Sequence, residues 1–242
     1  MQVLKSIEDE LYSYQDKEKS KILSKYFQAF PGGYGEGDIF LGINVPILRK
    51  IASKYYKDID LNILSILLSD EIHEFRNLAL MILDKIKEDI SAKVDFYFQH
   101  IEFINNWDLV DSSAPNILGY YLYSLNKEDQ KQVLLPLILS DNIWHKRIAM
   151  MSTFYFIKNY EFELALKVAG LMITEKHPMV QKAVGWMLRE IGKRNIELEK
   201  KFLNENIFEI LPIAFQYAIE KFNSEDKEYY KKLRKGNKGY KK

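Results

Sequence analysis

Residues 69–76 read Ser-Asp-Glu-Ile-His-Glu-Phe-Arg, and residues 140–147 read Ser-Asp-Asn-Ile-Trp-His-Lys-Arg. The two stretches are offset by 71 residues, which is about twice a unit of 35 residues. Two-helix units of about 35 to 45 residues are typical of HEAT-like repeats, which stack into α-solenoids. The repeat therefore predicts a HEAT-like α-solenoid of stacked antiparallel helix pairs.

The hydrophobic spacing around the repeat is helical. Between Ile72 and Lys87, apolar residues recur every three or four positions, and the stretches 143–157 and 180–191 show the same spacing. No alternating strand pattern with hairpin turns appears in the sequence. We expect an all-α protein of roughly eleven to thirteen helices, forming one repeat domain over residues 1–225.

A column of charged residues follows the same period. Arg76, Asp111, Arg147 and Lys182 are separated by 35, 36 and 35 residues, and each lies in an otherwise apolar helical stretch. Equivalent positions in stacked repeats face the same way. We expect these four side chains to line one surface, the concave face of the solenoid.

The composition excludes several classes of protein. Apolar residues make up 47% of the 242-residue chain, which is enough to form a core. Cysteine is absent, and this excludes disulfides, iron–sulfur clusters and thiol nucleophiles. No apolar leader opens the sequence, and no apolar run approaches the length of a membrane span. We expect a cytoplasmic protein that does not associate with membranes.

The charge is distributed unevenly along the chain. The formal net charge is +1, but residues 226–242 alone carry +6 and residues 1–225 carry −5. We expect 226–242 to be a flexible basic tail, which either remains solvated or grips phosphates. A third interpretation is that Tyr229, Tyr230 and Leu233 cap the last helix.

Residues 31–38, Pro-Gly-Gly-Tyr-Gly-Glu-Gly-Asp, form a glycine-rich segment. The segment lacks the Lys-Ser/Thr pair and the preceding strand of a nucleotide-binding loop. We expect a tight loop between two helices, with glycines at positive φ.

The histidines do not predict a metal site. His73, His100, His145 and His177 show no metal-ligand spacing, so we expect neither a metal nor another cofactor. The places of His73 and His145 in the repeats favour positions at the surface.

Two tryptophans accompany the charged column. Trp107 lies four residues before Asp111, and Trp186 lies four residues after Lys182, so each pair shares one helix face. We expect Trp107 and Trp186 to be partly exposed beside the column. Trp144, three residues before Arg147, is expected to be structural.

Basic residues are in excess near the later part of the column. Residues 140–194 contain nine Lys/Arg and five Asp/Glu. This excess predicts a groove that follows a nucleic-acid backbone, although ordinary solvated charge is the alternative. The candidate DNA-binding residues are Arg76, Lys146, Arg147, Lys182, Arg189, Lys193 and Arg194.

Three separated motifs resemble a known family. They are Asn-Trp-Asp-Leu-Val-Asp at 106–111, Ser-Asp-Asn-Ile-Trp with Arg147 at 140–147, and Lys-Ala-Val-Gly-Trp-Met-Leu-Arg-Glu at 182–190. In this order they resemble the bacterial DNA alkylation repair glycosylases of the AlkD type. The loop at 34–38, followed by Phe-Leu-Gly-Ile at 40–43, is also similar. The resemblance covers roughly residues 20–200.

The resemblance implies a solenoid that binds duplex DNA and removes cationic N3- and N7-alkylated purines without a cofactor. It places Trp107, Asp111, Arg147 and Trp186 at the family's active-site positions. It also implies an aromatic residue nearer the N-terminus, for which Tyr26, Phe27 and Tyr34 are all open. We expect a monomeric enzyme that acts in base excision repair. We also expect it to be monofunctional, because a lyase step needs an amine nucleophile beside the sugar and Lys182 is the only lysine of the column.

Two other functions fit a helical repeat protein. A binding module would recognise DNA or RNA structure without chemistry, whereas a protein–protein scaffold would show no salt-dependent DNA binding. The charged column disfavours the scaffold, because the centre of a protein interface is usually depleted of charge.

Overall fold

The computed structural model describes residues 2–236, and α-helices dominate it. Within this part of the chain there is no β-strand, only one isolated parallel bridge between Ile39 and Ile72. The prediction of an all-α protein is therefore confirmed. No helix in residues 2–236 is both long enough and apolar enough to cross a membrane.

The chain divides into two compact units, residues 1–121 and residues 122–242. The helices that begin in the first unit are α1 (Gln2–Ser13), α2 (Lys17–Tyr26), α3 (Val45–Tyr55), α4 (Leu61–Leu68), α5 (His73–Lys85), α6 (Ile90–Gln99), α7 (Trp107–Ser113) and α8 (Tyr120–Tyr123). A 3₁₀ turn at Ile101–Phe103 precedes α7, and a π turn at Pro115–Gly119 joins α7 to α8.

The second unit continues the pattern of helix pairs. Its helices are α9 (Lys127–Leu139), α10 (Ile143–Ser152), α11 (Phe154–Lys158), α12 (Glu163–Leu171), α13 (Pro178–Gly192), α14 (Ile196–Asn206), α15 (Pro212–Ala218) and α16 (Ser224–Gly236). A 3₁₀ turn at Ile219–Lys221 follows α15. The prediction of a single repeat domain over residues 1–225 stays a prediction.

Short polar side chains start many of these helices. Asp60, Asn106, Asn126 and Asn142 each accept a hydrogen bond from a backbone N–H in the first turn of the next helix. Such caps satisfy donors that the helix itself leaves unpaired. The two copies of the internal repeat lie at the starts of α5 and α10.

One central helix in each unit packs against several neighbouring helices. In the first unit α5 packs against α4, α3 and α7, and in the second α13 packs against α10, α14 and α15. Gly185 allows the close approach of α13 to α15, because an added Cβ would lie 2.3 Å from the carbonyl oxygen of Ala214. Both central helices are buried on most of their surface, as expected for helices covered on several sides.

Sixteen α-helices lie within residues 2–236, more than the sequence periodicity predicts. The difference arises where a helix is interrupted without a polar linker. The π turn at 115–119 divides α7 from α8, and Thr153 separates α10 from α11. The hydrophobic period continues across such breaks, so periodicity predicts one helix where the structure has two.

The described part of the basic tail is helical, which corrects the expectation of a flexible segment there. Helix α16 includes residues 226–236, and Tyr230 on it is only 2% exposed. The Tyr230 hydroxyl donates to the Lys200 carbonyl at 3.3 Å, and Arg234 donates to the Ile210 carbonyl at 2.8 Å. Residues 237–242 lie outside the described residues.

Tyr230→Ala should lower the free energy of unfolding by about 2 to 3 kcal/mol, because it removes a buried aromatic ring. Tyr229→Ala is the matched control, since Tyr229 is 55% exposed and should cost less than about 1 kcal/mol. Denaturant unfolding of both variants makes the comparison. Equal losses would show that α16 does not depend on Tyr230.

Glu199 on α14 is a buried carboxyl group of the second unit. It is 1% exposed, and its Oε1 has no hydrogen-bond partner among the described residues. Its Oε2 occupies the space that a Cβ on Gly192 would need. Burial raises the pKa of Glu199 to about 9, against the opposing charge of Arg189. The folded protein therefore holds Glu199 neutral at pH 7.

Glu199→Gln should make the protein more stable than the wild type at pH 7, by up to about 3 kcal/mol. In the wild type, stability is lost between about pH 4.5 and 9, because the unfolded chain releases the Glu199 proton while the folded chain retains it. Urea unfolding at pH 5 and pH 8 should show the advantage of the variant growing with pH. Glu197→Gln, on the exposed part of α14, is the control. Parallel stability curves for wild type and Glu199→Gln would contradict the assignment.

Candidate functional site

Helix α7 in the first unit carries the predicted Trp107 and Asp111. The Asn106 side chain starts the helix by accepting a hydrogen bond from the Trp107 backbone N–H at 2.9 Å. Trp107 and Asp111 are both partly exposed, and their spacing of one turn puts them on the same helix face. Partial exposure of Trp107 agrees with the sequence-based expectation.

Aromatic rings surround the Trp107 indole. Phe27 stacks on Trp107 with ring centroids 5.2 Å apart, and Phe27 also stacks on Phe40 at 5.2 Å. Tyr26 meets Trp107 edge-on at 5.8 Å and is 62% exposed. Phe27 is buried, and the Tyr34 hydroxyl donates to the Tyr26 carbonyl at 3.3 Å. Tyr26 is therefore the exposed N-terminal aromatic residue beside Trp107.

The glycine-rich segment forms the tight loop that the sequence predicts. It connects α2 to α3, and Gly32 and Gly37 have φ of 80° and 91°. Gly35 lets the loop approach its neighbours, since an added Cβ would lie 2.3 Å from the Phe27 carbonyl oxygen and 2.9 Å from the Asn106 amide nitrogen. The loop thus brings Asp38 against the start of α7.

Asp38 is the centre of a buried polar cluster. Its side chain is 2% exposed and accepts from Arg76 Nη2 at 2.6 Å, His73 Nδ1 at 3.0 Å, Asn106 Nδ2 at 3.1 Å and Asn105 Nδ2 at 3.4 Å. Burial alone would raise the pKa of Asp38, but the His73 hydrogen bond and the Arg76 charge lower it to about 2. Asp38 is therefore ionised at any pH near neutrality.

His73 extends the cluster to α7. Its Nε2 lies 2.8 Å from Asp108 Oδ2, which also accepts from Asn77 Nδ2 at 3.1 Å. Burial would lower the pKa of His73, but the carboxylates of Asp108 and Asp38 raise it to about 9. Both ring nitrogens thus donate at neutral pH. The expected surface position of His73 is wrong, because the residue is 2% exposed.

Arg76 was expected to bind DNA, and the structure places it in the interior instead. It is 4% exposed, its Nη2 pairs with Asp38, and its Nη1 donates to Asn105 Oδ1 at 2.5 Å. A buried guanidinium whose Nη1 and Nη2 both donate to internal acceptors is unavailable to a phosphate. Arg76 therefore stabilises the Asp38 cluster.

Helix α13 in the second unit carries Trp186 and Lys182, both partly exposed. The indole N–H of Trp186 donates to Glu190 Oε1 at 3.2 Å, and Phe154 lies 6.4 Å from the indole ring. Partial exposure agrees with the expectation for Trp186. Trp144 is 6% exposed, as expected for a structural residue.

Most of the candidate basic residues of the second unit have acidic partners. Lys146 pairs with Glu175 and Arg189 with Glu220, while Lys193 and Arg194 both pair with Glu190. Arg147 is 4% exposed, and its Nη1 donates to the Met179 carbonyl. Lys182 differs, since its ammonium has no ion pair or hydrogen bond with another described residue.

Sequence reasoning missed the ion pairs of these acids and the buried cluster. Glu175 and Glu190 are among the five acids counted over residues 140–194, but composition does not show that they and Glu220 pair with the candidate basic residues. The spacing of Asp38, His73 and Asp108, 35 residues in each step, was the available signal for the cluster. Arg76 and Arg147 are each 4% exposed, so the expectation that all four column side chains line one surface is wrong for these two residues. The placement of Asp111 and Lys182 on a concave face stays a prediction, as do the roles of the other candidate residues in binding and catalysis. Among residues 2–236, no group of three or more His, Asp or Glu could hold a metal ion.

The paired helices are those of a helical repeat protein, and one surface of the first unit carries a carboxylate and aromatic rings. Comparison with known proteins gives the family. The chain belongs to the DNA alkylation repair enzyme family, whose model matches residues 7–222. The resemblance noted in the sequence is confirmed, and a role in the repair of alkylated DNA follows from it. Among curated protein sequences, none matches the chain significantly.

Solved structures share the fold. A predicted DNA alkylation repair enzyme from Enterococcus faecalis aligns with a TM-score of 0.66 at 18% identity, covering 87% of this chain and 97% of that one. AlkD2 from Streptococcus mutans aligns with a TM-score of 0.55 at 19% identity, covering 86% and 99%. The smu.31 protein from Streptococcus mutans UA159 gives 0.56 at 17% identity, covering 84% and 98%.

Proposed function

We propose that the protein is a DNA glycosylase that hydrolyses the N-glycosidic bond of cationic N3- and N7-alkylated purines in duplex DNA. The observation that carries the proposal is the surface of the first unit formed by Tyr26, Trp107 and Asp111. Aromatic rings beside one carboxylate suit a cationic sugar more than a neutral or anionic substrate.

The chemistry requires only a few groups. An alkylated purine is already positively charged, so it leaves as a neutral base without a strong acid. The sugar that remains resembles an oxocarbenium ion. The Asp111 carboxylate stabilises that ion and orients the water that attacks it, and the reaction needs no metal or other cofactor.

The aromatic residues hold the substrate. An indole or phenol face attracts cationic character with roughly 0.5 to 2 kcal/mol per contact. Trp107 in the first unit and Trp186 in the second have partly exposed rings for this role. For the role of the N-terminal aromatic residue we favour Tyr26 over Phe27 and Tyr34, because Tyr26 is the most exposed of the three.

The second unit supplies phosphate contacts in the proposal. Lys182 is the most direct candidate, because no acidic partner among the described residues competes for its ammonium. Arg147 is the other column residue proposed to hold a phosphate, by bidentate hydrogen bonds. It is 4% exposed and its Nη1 donates to the Met179 carbonyl, so its guanidinium would have to leave that carbonyl before binding DNA. Lys146, Arg189, Lys193 and Arg194 would have to leave Glu175, Glu220 or Glu190 before binding DNA. The protein acts as a cytoplasmic monomer in base excision repair.

The test is incubation of the purified protein with methylated duplex DNA under single-turnover conditions. Chromatography of the soluble fraction should show release of 3-methyladenine or 7-methylguanine above spontaneous loss, with EDTA present throughout. Unmethylated duplex is the control substrate. Tight, salt-dependent binding without release would instead identify a binding module, and the absence of both would favour a scaffold.

A further inference from the structure

The two residues that precede α7 are both hydrogen-bonded to one buried carboxylate. Asn105 and Asn106 immediately precede the helix, and both donate to Asp38. Asn106 uses its other amide atom, Oδ1, to accept from the Trp107 backbone N–H. The residue that caps α7 is thus itself held by Asp38.

A second connection reaches α7 through His73. The imidazole donates to Asp38 from Nδ1 and to Asp108, in the first turn of α7, from Nε2. The cluster therefore fixes the helix at two successive points, before and after Trp107. Two such points determine the rotation of a helix about its axis as well as its position.

The cluster also connects to the aromatic stack. The His73 ring lies 4.7 Å from Phe40 and 5.0 Å from Phe27, and Phe27 stacks on Trp107. The same imidazole that fixes the backbone of α7 thus supports the ring that lies under the indole. A shift at Asp38 would reach Trp107 by both routes.

We propose that Asp38 is the positioning residue of the site, holding α7 so that Trp107 and Asp111 face the substrate in reactive geometry. Asp38 itself is buried and makes no contact with DNA in this proposal. The catalytic part of the inference rests on the proposed function, whereas the structural part does not. A misplacement of the reacting groups by about 1 Å can cost around a hundredfold in rate.

Asp38→Asn should therefore slow base release by roughly tenfold to a hundredfold while the affinity for duplex DNA is retained. The variant keeps the shape of the side chain but cannot accept all the hydrogen bonds that the carboxylate accepts. Biosynthetic 5-fluorotryptophan gives one ¹⁹F resonance for each of the three tryptophans. The Trp107 resonance should shift or broaden, and those of Trp144 and Trp186 should not.

Glu74→Gln is the matched control. Glu74 is 2% exposed, neighbours His73 on α5, and accepts from the backbone N–H groups of Leu41, Gly42 and Ile43 at 2.8 to 3.1 Å. It fixes the same loop at a different point, so its variant loosens the loop without loosening α7. Its Trp107 resonance and its base release should match the wild type.

His73→Gln is the second variant, used if Asp38→Asn does not fold. A glutamine amide cannot bridge Asp38 and Asp108 as the imidazole does, so the Trp107 resonance should again move. An unchanged Trp107 resonance in a folded variant, or an equal change in Glu74→Gln, would overturn the inference. If the wild type releases no base, the proposed function fails, and the Trp107 resonance still decides whether Asp38 positions α7.

Discussion

Asp111→Asn is expected to slow base release by at least tenfold to a hundredfold. The substitution keeps the shape of the side chain and removes the charge that would stabilise the sugar cation. Because that cation exists mainly in the transition state, the loss of about 1.4 to 2.7 kcal/mol appears in the rate of the chemical step. Affinity for duplex DNA should hold or rise, since a negative charge near the phosphates is lost.

Three measurements on the Asp111→Asn protein separate catalysis from structure. Single-turnover base release, duplex binding and thermal unfolding should give a slow, stable, DNA-binding variant. Asp108→Asn is an informative comparison, because Asp108 lies on the same helix but bonds to His73 and Asn77. A purely structural Asp111 would give lower stability, weaker binding and normal release by the protein that remains folded.

Arg76→Ala is expected to lower the free energy of unfolding by about 3 to 5 kcal/mol. Removing one partner of a buried ion pair leaves the other charge buried without compensation, and Asp38 is 2% exposed. For a chain of this size, each kcal/mol lowers the melting temperature by roughly 2 to 4 °C. Thermal and urea unfolding measure the effect.

Lys182→Ala is the matched control for Arg76→Ala. Lys182 belongs to the same charged column but is partly exposed and has no acidic partner among the described residues. Its loss should change stability by less than about 0.5 kcal/mol and lower the salt dependence of DNA binding by about one unit. If Arg76→Ala were stable and its DNA binding less dependent on salt, Arg76 would be a DNA-binding residue and not a structural one.

Local patterns predicted the all-α fold and the helical position of Trp107 and Asp111. Helical spacing depends on residues that are neighbours in the sequence, and a repeat of about 35 residues is visible in the sequence itself. Both patterns therefore predict helix pairs directly. The burial of Arg76 depends instead on Asp38, 38 residues earlier in the chain. Periodicity identifies the positions that share a face but not the partner that another segment brings to it.

The same reason explains the errors for His73 and for the basic tail. His73 is buried because Asp38 and Asp108 both reach it, and α16 is ordered because Tyr230 and Arg234 find carbonyl groups on distant segments. The net charge of the tail gave no sign of these contacts. Sequence alone likewise leaves the N-terminal aromatic residue open among Tyr26, Phe27 and Tyr34. Their exposure depends on the path of the loop that follows α2.

The cluster around Asp38 also bears on the order of events during folding. It joins residues that are 35 and 68 positions apart, and closing such long loops costs entropy that local helix formation does not. Helix α7 has only seven residues, too few to be stable alone in water. We therefore expect the segment bearing Trp107 and Asp111 to become ordered only when the loop after α2 and helix α5 have docked, so that a newly made chain acquires its proposed catalytic surface late.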